Sequence, residues 1–322
     1  MADIQYQPDL LGPEFEQHTI AQPVDYEGPV VCTLVRLRKQ APGPKAVLYV
    51  HGFTDYFFQR DMAAEYRRHG FRFYALDLRK YGRSWLPHQT ANNVRNLREY
   101  YTDLDAALAI MQQEGCTNIV LSGHSTGGLI VALYAHDGNR RAAIAALFLN
   151  SPFFDMHQNW LNRRLGVPLA ARLGRYAPDF RIPANLPTEY GQSLHQRYQG
   201  EWDYHLPWKP IEVFPVNMGW LRAIHAGHRR IARGLSISKP VLVMHSDKTV
   251  RHAGRREEYA EADGVLNVRH IRELSPRLGP NVTVVAIPGG IHDLVLSRPA
   301  VRAVVYRELF QWLAAVLPPG AA

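Results

Sequence analysis

One short segment of the chain, Gly-His-Ser-Thr-Gly-Gly at positions 123–128, contains a serine in a pattern suited to covalent chemistry. The pattern alone is weak, because a chain of this composition would contain it by chance roughly once in twenty sequences. Its context is more specific, since it follows a β-rich run and precedes an apolar stretch typical of a buried helix. A tight strand-to-helix turn would lift the Oγ of Ser125 above the strand ends and place the N–H of Thr126 at a helix N-terminus. The alternative is a glycine-rich turn that binds phosphate or only packs.

A serine hydroxyl is a poor nucleophile without a base, so a histidine and an orienting acid are expected further along the chain. The chain has 15 histidines, and position selects His292, which follows a strand-like run and a glycine-containing loop. Asp247 directly follows another strand-like run and is the predicted acid. Asp293 is adjacent to His292 and would point elsewhere, while Asp263 lacks strand context, so both are placed lower. The alternatives are a solvated loop aspartate and a surface histidine.

Acyl transfer also needs backbone donors for the developing oxyanion. The N–H of Thr126 is the first predicted donor. The second is the N–H of Phe53, because His51-Gly52-Phe53 follows an earlier strand-like run, although the Phe53 side chain alone could line a pocket instead. His51 and His124 are interpreted as hydrogen-bonded structural residues.

Strand-like and helical patterns alternate in the elements that must position these residues. Strands are predicted at 30–37, 45–50, 71–76, 118–121, 144–149, 241–244 and 282–287, and helices at 61–69, 94–111, 129–135 and from 297 onward. This alternation predicts an α/β fold whose mostly parallel sheet has helices on both faces. Residues 155–235 break the pattern, with seven prolines, four of the six tryptophans and no long strand-like run. They are predicted to form a helical cap inserted into one core made of residues 1–154 and 236–322.

Composition limits the function classes. The 322 residues include 37 basic and 29 acidic side chains, giving a net charge of +8, but no nucleic-acid-binding motif accompanies that charge. Two cysteines form neither a disulfide framework nor a metal-ligand spacing, and we expect no cofactor and no metal. No apolar run approaches the length of a membrane span, and residues 1–13 lack the pattern of an export signal. A soluble, cytoplasmic protein is expected.

Taken together, His51-Gly52, the stretch Asp-Leu-Arg-Lys-Tyr-Gly-Arg-Ser at 77–84, the serine motif, Asp247 and His292 resemble the α/β-hydrolase superfamily. Within it the chain is most similar to the monoacylglycerol lipase and lysophospholipase-like branch, also labelled serine aminopeptidase-like. The resemblance covers nearly the whole chain and implies that the inserted cap forms an acyl-binding tunnel. Lys80 departs from the usual glycine of the 77–84 stretch, and Thr126 from the commoner methionine.

The resulting functional prediction is a serine hydrolase that cleaves monoacylglycerol-like or other medium-chain esters through an acyl-enzyme intermediate. Lysophospholipase, thioesterase, aminopeptidase and perhydrolase activities use the same triad, and a non-catalytic binding protein is the alternative from another class. Residues 155–235 contain eleven Arg and Lys against six Asp and Glu, a net +5 that disfavours free-amine peptides. The same charge leads us to expect peripheral contact with anionic lipid surfaces. The sequence does not predict an oligomeric state.

Overall fold

The computed structural model describes residues 4–157, 165–198, 200–252 and 254–317. Within these ranges the strands are β1 (Gln7–Asp9), β2 (Gly12–Asp25), β3 (Gly28–Leu37), β4 (Lys45–Val50), β5 (Arg72–Asp77), β6 (Asn118–His124), β7 (Ile144–Asn150), β8 (Arg181–Ile182), β9 (Val216–Asn217), β10 (Val241–Ser246) and β11 (Val282–Ile287). The helices are α1 (Arg60–Arg68), α2 (Glu99–Gln113), α3 (Thr126–Asp137), α4 (Val167–Leu173), α5 (Thr188–Leu194), α6 (Met218–Arg233), α7 (Val268–Leu274) and α8 (Pro299–Val316).

The described strands form one large sheet with the order β1-β2-β3-β5-β4-β6-β7-β10-β11, and β8 pairs with β9 in a separate ribbon. The pairs from β1 to β5 in this order are antiparallel, and all pairs from β5 to β11 are parallel. Parallel neighbours need crossover connections, which the helices supply. The predicted α/β class with a mostly parallel sheet is therefore confirmed.

The central strands are mostly apolar and almost fully buried because both faces of the sheet are covered. On β4, Ala46, Leu48 and Val50 pack into the core layer that contains α2, α3 and α6. The alternate residues Val47 and Tyr49 pack into the opposite layer, with α1 and α8. This double coverage fixes the sheet as a rigid platform whose strand ends carry the loops described below.

No strand is predicted before residue 30, whereas β2 spans 14 residues and pairs antiparallel with β3. The reason is that β2 lies near the sheet edge, where Phe15 is its only fully buried side chain. A mostly polar strand of this kind carries little hydrophobic alternation, so its pattern does not distinguish it from a loop.

The segment 155–235, predicted as a cap, contains α4, α5 and α6 together with the β8–β9 ribbon. Its last helix packs against the core, since a Cβ added at Gly227 would lie within 3.3 Å of side chains of Leu97, Leu129 and Leu133. The division into a core and a cap with these boundaries stays a prediction. Across the described residues, we find no helix with the length and apolarity that a membrane crossing requires.

His228 of α6 is a buried histidine whose Nε2 lies 3.0 Å from the carbonyl oxygen of Phe153. Burial lowers its pKa to about 3, against the opposing effect of the Phe153 carbonyl. The unfolded chain therefore binds a proton below about pH 6.5 while the folded chain does not, and stability falls as pH falls through that window.

We expect the wild-type free energy of unfolding to drop by about 1.4 kcal/mol more than that of His228→Gln between about pH 7.5 and pH 5.5. Glutamine keeps an N–H donor for the Phe153 carbonyl but does not titrate. Urea denaturation of both proteins at the two pH values measures the difference. Equal losses in the two proteins would contradict the assignment of this pH dependence to His228.

Candidate active site

The turn between β6 and α3 places Ser125 where the sequence predicts it, between a strand and a helix. Ser125 has φ 52° and ψ −115°, a conformation that a residue with a side chain rarely adopts. The chain passes very close here, because a Cβ added at Gly127 would collide with the carbonyl oxygens of Val50 and His51. A Cβ at Gly123 would likewise lie 2.6 Å from the carbonyl oxygen of Gly127. Gly127 is thus needed for packing of the turn against the end of β4, and Gly123 for the close approach of β6 and α3.

His292 lies in the loop after β11 and is brought to the serine. Its Nε2 is 3.0 Å from the Oγ of Ser125, and both side chains are buried. The two residues are separated by 167 positions in sequence, so the contact depends on the parallel order of β6, β7, β10 and β11. Ser125 and His292 come into contact because both follow the carboxyl ends of strands in this parallel part of the sheet.

The other ring nitrogen of His292, Nδ1, lies 2.9 Å from Oδ2 of Asp263, which has no exposed surface. The second oxygen of that carboxylate accepts hydrogen bonds of 2.8 Å from the N–H groups of Val265 and Leu266. Burial alone would raise the pKa of the Asp263 carboxyl. The positive charge and hydrogen bond of His292 and the two backbone donors outweigh burial and hold this pKa below its ordinary value.

The prediction that Asp247 is the orienting acid is wrong in this geometry. Asp247 is exposed, and its Oδ1 accepts a hydrogen bond of 3.1 Å from the N–H of Gly289. Asp247 lies directly after β10, and 15 residues separate it from Asp263, where the chain returns to the site. The return is fixed by hydrogen bonds from Asp263 N–H to Lys248 O (3.0 Å) and from Val250 N–H to Asp263 O (2.9 Å).

The hydrogen-bond partners determine which nitrogen of His292 carries the proton. Asp263 as a carboxylate is only an acceptor, so Nδ1 of a neutral His292 donates to it. Nε2 is then the free acceptor for the hydroxyl proton of Ser125. This arrangement can withdraw a proton from Ser125 and stabilise the imidazolium that results.

The residues of the two predicted oxyanion donors, Phe53 and Thr126, line the same cavity as Ser125. Thr126 is the first residue of α3, and Phe53 follows β4. Among the described residues, neither backbone N–H donates a hydrogen bond to the protein. The loop before Phe53 contacts the nucleophile, because a Cβ added at Gly52 would lie 3.3 Å from the Cβ of Ser125. Both N–H groups thus remain available, and their role in catalysis stays a proposal.

Three polar residues beside the site have other partners. His51 accepts from the N–H of Leu78 through Nε2 (3.1 Å), so its Nδ1 donates to the carbonyl of Gly52 (2.8 Å). His124 Nδ1 is 3.2 Å from the carbonyl oxygen of Asn150. Burial lowers the pKa of both histidines, which favours their neutral forms. Asp293 accepts from the side-chain amides of Asn150 and Gln59 and so points away from His292, as predicted.

A cavity of about 610 Å³ opens at Ser125. Its wall is mainly apolar and comes from both the sheet side and the segment 155–235; it includes Phe53, Phe153, Ala170, Trp220, Leu221 and Leu266. The rings of Phe53 and Trp220 are 4.5 Å apart between centroids.

Three other aromatic residues of the segment 155–235, Trp202, Trp208 and Phe214, do not line this cavity and pack on side chains or backbone outside the segment. Trp160 lies outside the described residues.

A second, smaller pocket of about 80 Å³ also reaches Ser125, and His292 lines this pocket but not the larger one. Asp55 and Lys209 line it too, with Lys209 Nζ 2.8 Å from Asp55 Oδ1. The sequence analysis did not consider either residue. Asp55 lies two residues after Phe53, which is the one signal that could have drawn attention to it.

Comparison with solved structures shows the same fold in several proteins. A soluble variant of monoglyceride lipase from Saccharomyces cerevisiae, in complex with a substrate analog, has TM-score 0.68 at 17% identity, covering 94% of this chain and 97% of that one. Monoacylglycerol lipase from Paleococcus ferrophilus has TM-score 0.66 at 19% identity, covering 88% and 99%. A thermostable carboxyl esterase from Bacillus coagulans, in complex with glycerol, has TM-score 0.62 at 15% identity, covering 93% and 98%.

None of the curated proteins compared with this sequence matches it significantly. A sequence model of the family described as "Serine aminopeptidase, S33" matches residues 42–299, well over half of the chain. The matched range includes the serine motif, Asp263 and His292. Together with the parallel sheet and the strand-to-helix turn at Ser125, this match shows that the chain belongs to the serine aminopeptidase S33 family of α/β-hydrolases.

Proposed function

We propose that the protein is a serine hydrolase that cleaves carboxylic esters with an apolar acyl chain, monoacylglycerol-like esters among them. The observation that carries this proposal is the hydrogen-bonded series Ser125–His292–Asp263, with distances of 3.0 and 2.9 Å, whose Ser125 and Asp263 line a largely apolar cavity. The two monoglyceride lipases with the same fold support the ester class. The S33 family description also names aminopeptidases, so the substrate class needs its own test.

In the proposed acylation step, Ser125 Oγ attacks the ester carbonyl carbon and its proton passes to Nε2 of His292. Negative charge develops on the carbonyl oxygen, where the N–H groups of Phe53 and Thr126 are the proposed donors. His292 then gives its proton to the ester oxygen, the C–O bond breaks, and the alcohol leaves. Asp263 stays ionised throughout and stabilises the imidazolium.

Deacylation repeats these roles with water as the nucleophile. His292 takes a proton from the water as it attacks the acyl-enzyme carbonyl, and then returns that proton to Ser125 Oγ as the acid departs. No other reactant is needed to balance the reaction.

A free-amine substrate fits the charges of this site poorly. Aminopeptidases must hold a cationic amine, usually with carboxylates. Of the carboxylates near Ser125, Asp263 is bound to His292 and Asp55 to Lys209. The large cavity offers apolar side chains to an acyl chain instead.

Turnover of p-nitrophenyl esters from butanoate to octanoate is the direct test of substrate class. We expect kcat/KM to rise about fourfold for each added CH₂ while the chain lengthens within the cavity. Thioesters and lysophospholipids of matched chain length, and aminoacyl p-nitroanilides, are assayed in parallel. Faster turnover of the anilides would replace the ester proposal by an aminopeptidase, and no turnover of any substrate would support a binding protein.

The proposal extends to peripheral contact with an anionic lipid surface, which the exposed side of α4 and the following loop support. Five large apolar residues here are more than half exposed: Leu165, Leu169, Leu173, Tyr176 and Phe180. The three leucines are spaced by four residues and so share one side of the chain. Exposed Arg172 lies between Leu169 and Leu173 in sequence, and exposed Arg175 lies between Leu173 and Tyr176. Because Val167 and Ala170 line the large cavity, this surface adjoins the acyl site.

We expect the wild-type protein to co-float with vesicles containing phosphatidylglycerol, less with pure phosphatidylcholine and less at high salt. Leu169→Ser/Leu173→Ser should reduce that binding at least about tenfold, because two side chains lose their apolar contact with lipid. Val24→Ser, an equally exposed change on β2, is the matched control. Equal binding of the leucine variant, or salt-independent turnover on anionic micelles, would contradict the contact.

A further inference from the structure

The ion pair between Asp55 and Lys209 is a second polar feature beside Ser125, distinct from the Ser125–His292–Asp263 series. The Asp55 side chain is 1% exposed and that of Lys209 15%. Burial would raise the pKa of the Asp55 carboxyl, but Lys209, His124 and His51 lower it below its ordinary value, so Asp55 is a carboxylate. Its Oδ2 is buried and has no hydrogen-bond partner among the described residues. Burying two charges costs about as much free energy as their attraction returns, so this ion pair stabilises the fold little. A functional reason for its position is therefore expected.

The position of the ion pair, beside the small pocket and away from the large cavity, relates it to one part of the substrate. Asp55 and Lys209 line the small pocket with Ser125 and His292, and neither lines the large cavity. Ser125 and Phe53 line both. The nucleophile therefore lies between a large, mainly apolar space and a small space bordered by the ion pair of Asp55 and Lys209.

The chemistry assigns the two spaces to the two parts of an ester. His292 must protonate the departing oxygen, so the alcohol has to lie within hydrogen-bond reach of Nε2. His292 lines only the small pocket, which places the alcohol there and the acyl chain in the large cavity. A volume of about 80 Å³ leaves room for a short alcohol but not for a second long chain.

The functional groups of the pair then define which short alcohol is favoured. Asp55 Oδ2 has lone pairs to accept a hydrogen bond, and the Lys209 ammonium has three N–H donors, of which one reaches Asp55. A hydroxyl group both donates and accepts, so it can satisfy either partner. The pair is neutral overall, and Lys209 would repel a free amine. An apolar alcohol would leave these buried groups unpaired.

We propose that Asp55 and Lys209 form a leaving-group subsite that selects short polyhydroxy alcohols over apolar alcohols of the same length. This inference rests on the proposed ester hydrolase function and names the alcohol part of its substrate. The two residues are specificity determinants and take no part in the covalent steps. The rings of Phe58 and Tyr204, each 5.7 Å from Lys209 Nζ, hold the ammonium group in place.

The test compares 1-butyrylglycerol with propyl butyrate, which share an acyl chain and a three-carbon alcohol and differ by two hydroxyl groups. We expect wild-type kcat/KM to be at least about tenfold higher for the glyceryl ester, because the analogue without hydroxyls leaves the buried pair unsatisfied. Asp55→Leu/Lys209→Met removes both charges together, which avoids leaving one charge buried alone. In that double variant the ratio of the two kcat/KM values should fall to about one.

The matched control is Glu201→Gln/Arg302→Met, which removes another ion pair between the segment 155–235 and α8. Neither of its residues lines either cavity, and its ratio should equal that of the wild type. A ratio near one in the wild-type protein, or a wild-type ratio kept by the Asp55/Lys209 variant, would overturn the subsite while leaving the ester hydrolase intact. Failure of the wild type to hydrolyse either ester would overturn the proposed function and this subsite with it.

Discussion

Asp263→Asn is expected to lower kcat for a p-nitrophenyl ester by about four orders of magnitude. Asparagine would present its amide to Nδ1 of His292 and favour the tautomer with the proton on Nε2, which cannot accept the proton of Ser125. The loss of the carboxylate also removes the charge that stabilises the imidazolium. KM should change far less than kcat, because Asp263 supports the reacting groups and does not hold the acyl chain.

Asp247→Asn is the matched control, since it makes the same chemical change at the residue that the sequence pattern favoured. Its amide oxygen can still accept the hydrogen bond from Gly289 N–H, so we expect a change in kcat within about threefold. Steady-state kinetics of both variants at saturating substrate measure the difference. Comparable losses in the two variants would remove Asp263 from the proposed catalytic series.

Ser125→Ala is expected to reduce kcat by about six orders of magnitude, the size of loss that follows removal of a serine nucleophile. Alanine deletes the only hydroxyl that contacts His292 Nε2 among the described residues and leaves the cavities otherwise unchanged. The residual rate should come from binding and the backbone donors alone. Single-turnover assays at high enzyme concentration extend the measurable range to this level.

Ser275→Ala provides the control for replacing a buried serine elsewhere. Its Oγ donates to the carbonyl of Ile271, remote from both cavities, and the change should affect stability but not kcat. Thermal unfolding of both variants shows whether each remains folded. An Ser125→Ala protein that is folded and retains more than about one percent of wild-type kcat would contradict nucleophilic catalysis by Ser125.

The sequence predicted the parts of the site that lie directly at strand ends. Ser125 sits in a glycine-containing turn whose residue spacing is visible in one stretch of sequence, and His292 follows a clear strand. Strand β4 and strand β11 were predicted with their observed bounds, because each is a short, mostly apolar run rich in strand-forming residues and next to proline or glycine. Local pattern and sheet geometry were sufficient for these residues.

Asp263 was ranked below Asp247 as the orienting acid because it does not follow a strand. It reaches His292 where the chain turns back toward the end of β10. The 15 residues between Asp247 and Asp263 include a short 3-10 helix, Arg256–Ala260, and the return is fixed by backbone hydrogen bonds to residues 248 and 250. Backbone hydrogen bonds of this kind leave no residue-type signature. Asp247 has the better local pattern, yet its carboxylate bonds to Gly289 and leaves His292 to Asp263.

The polar pocket was not predictable for a related reason. Asp55 and Lys209 are 154 residues apart and belong to different parts of the fold, and neither lies in a recognisable motif. Only the path of the segment 155–235 over the sheet brings them together. Long-range contacts of this type are recognised only in the tertiary structure, whereas the alternation of strands and helices can be predicted from the sequence.

Covalent labelling with a fluorophosphonate probe tests most directly whether Ser125 is an activated nucleophile. We expect the intact mass of the wild-type protein to increase by one adduct, peptide mapping to place it on Ser125, and Asp263→Asn to be labelled far more slowly than Asp247→Asn. No adduct on the folded wild-type protein, or undiminished labelling of Ser125→Ala, would contradict this expectation.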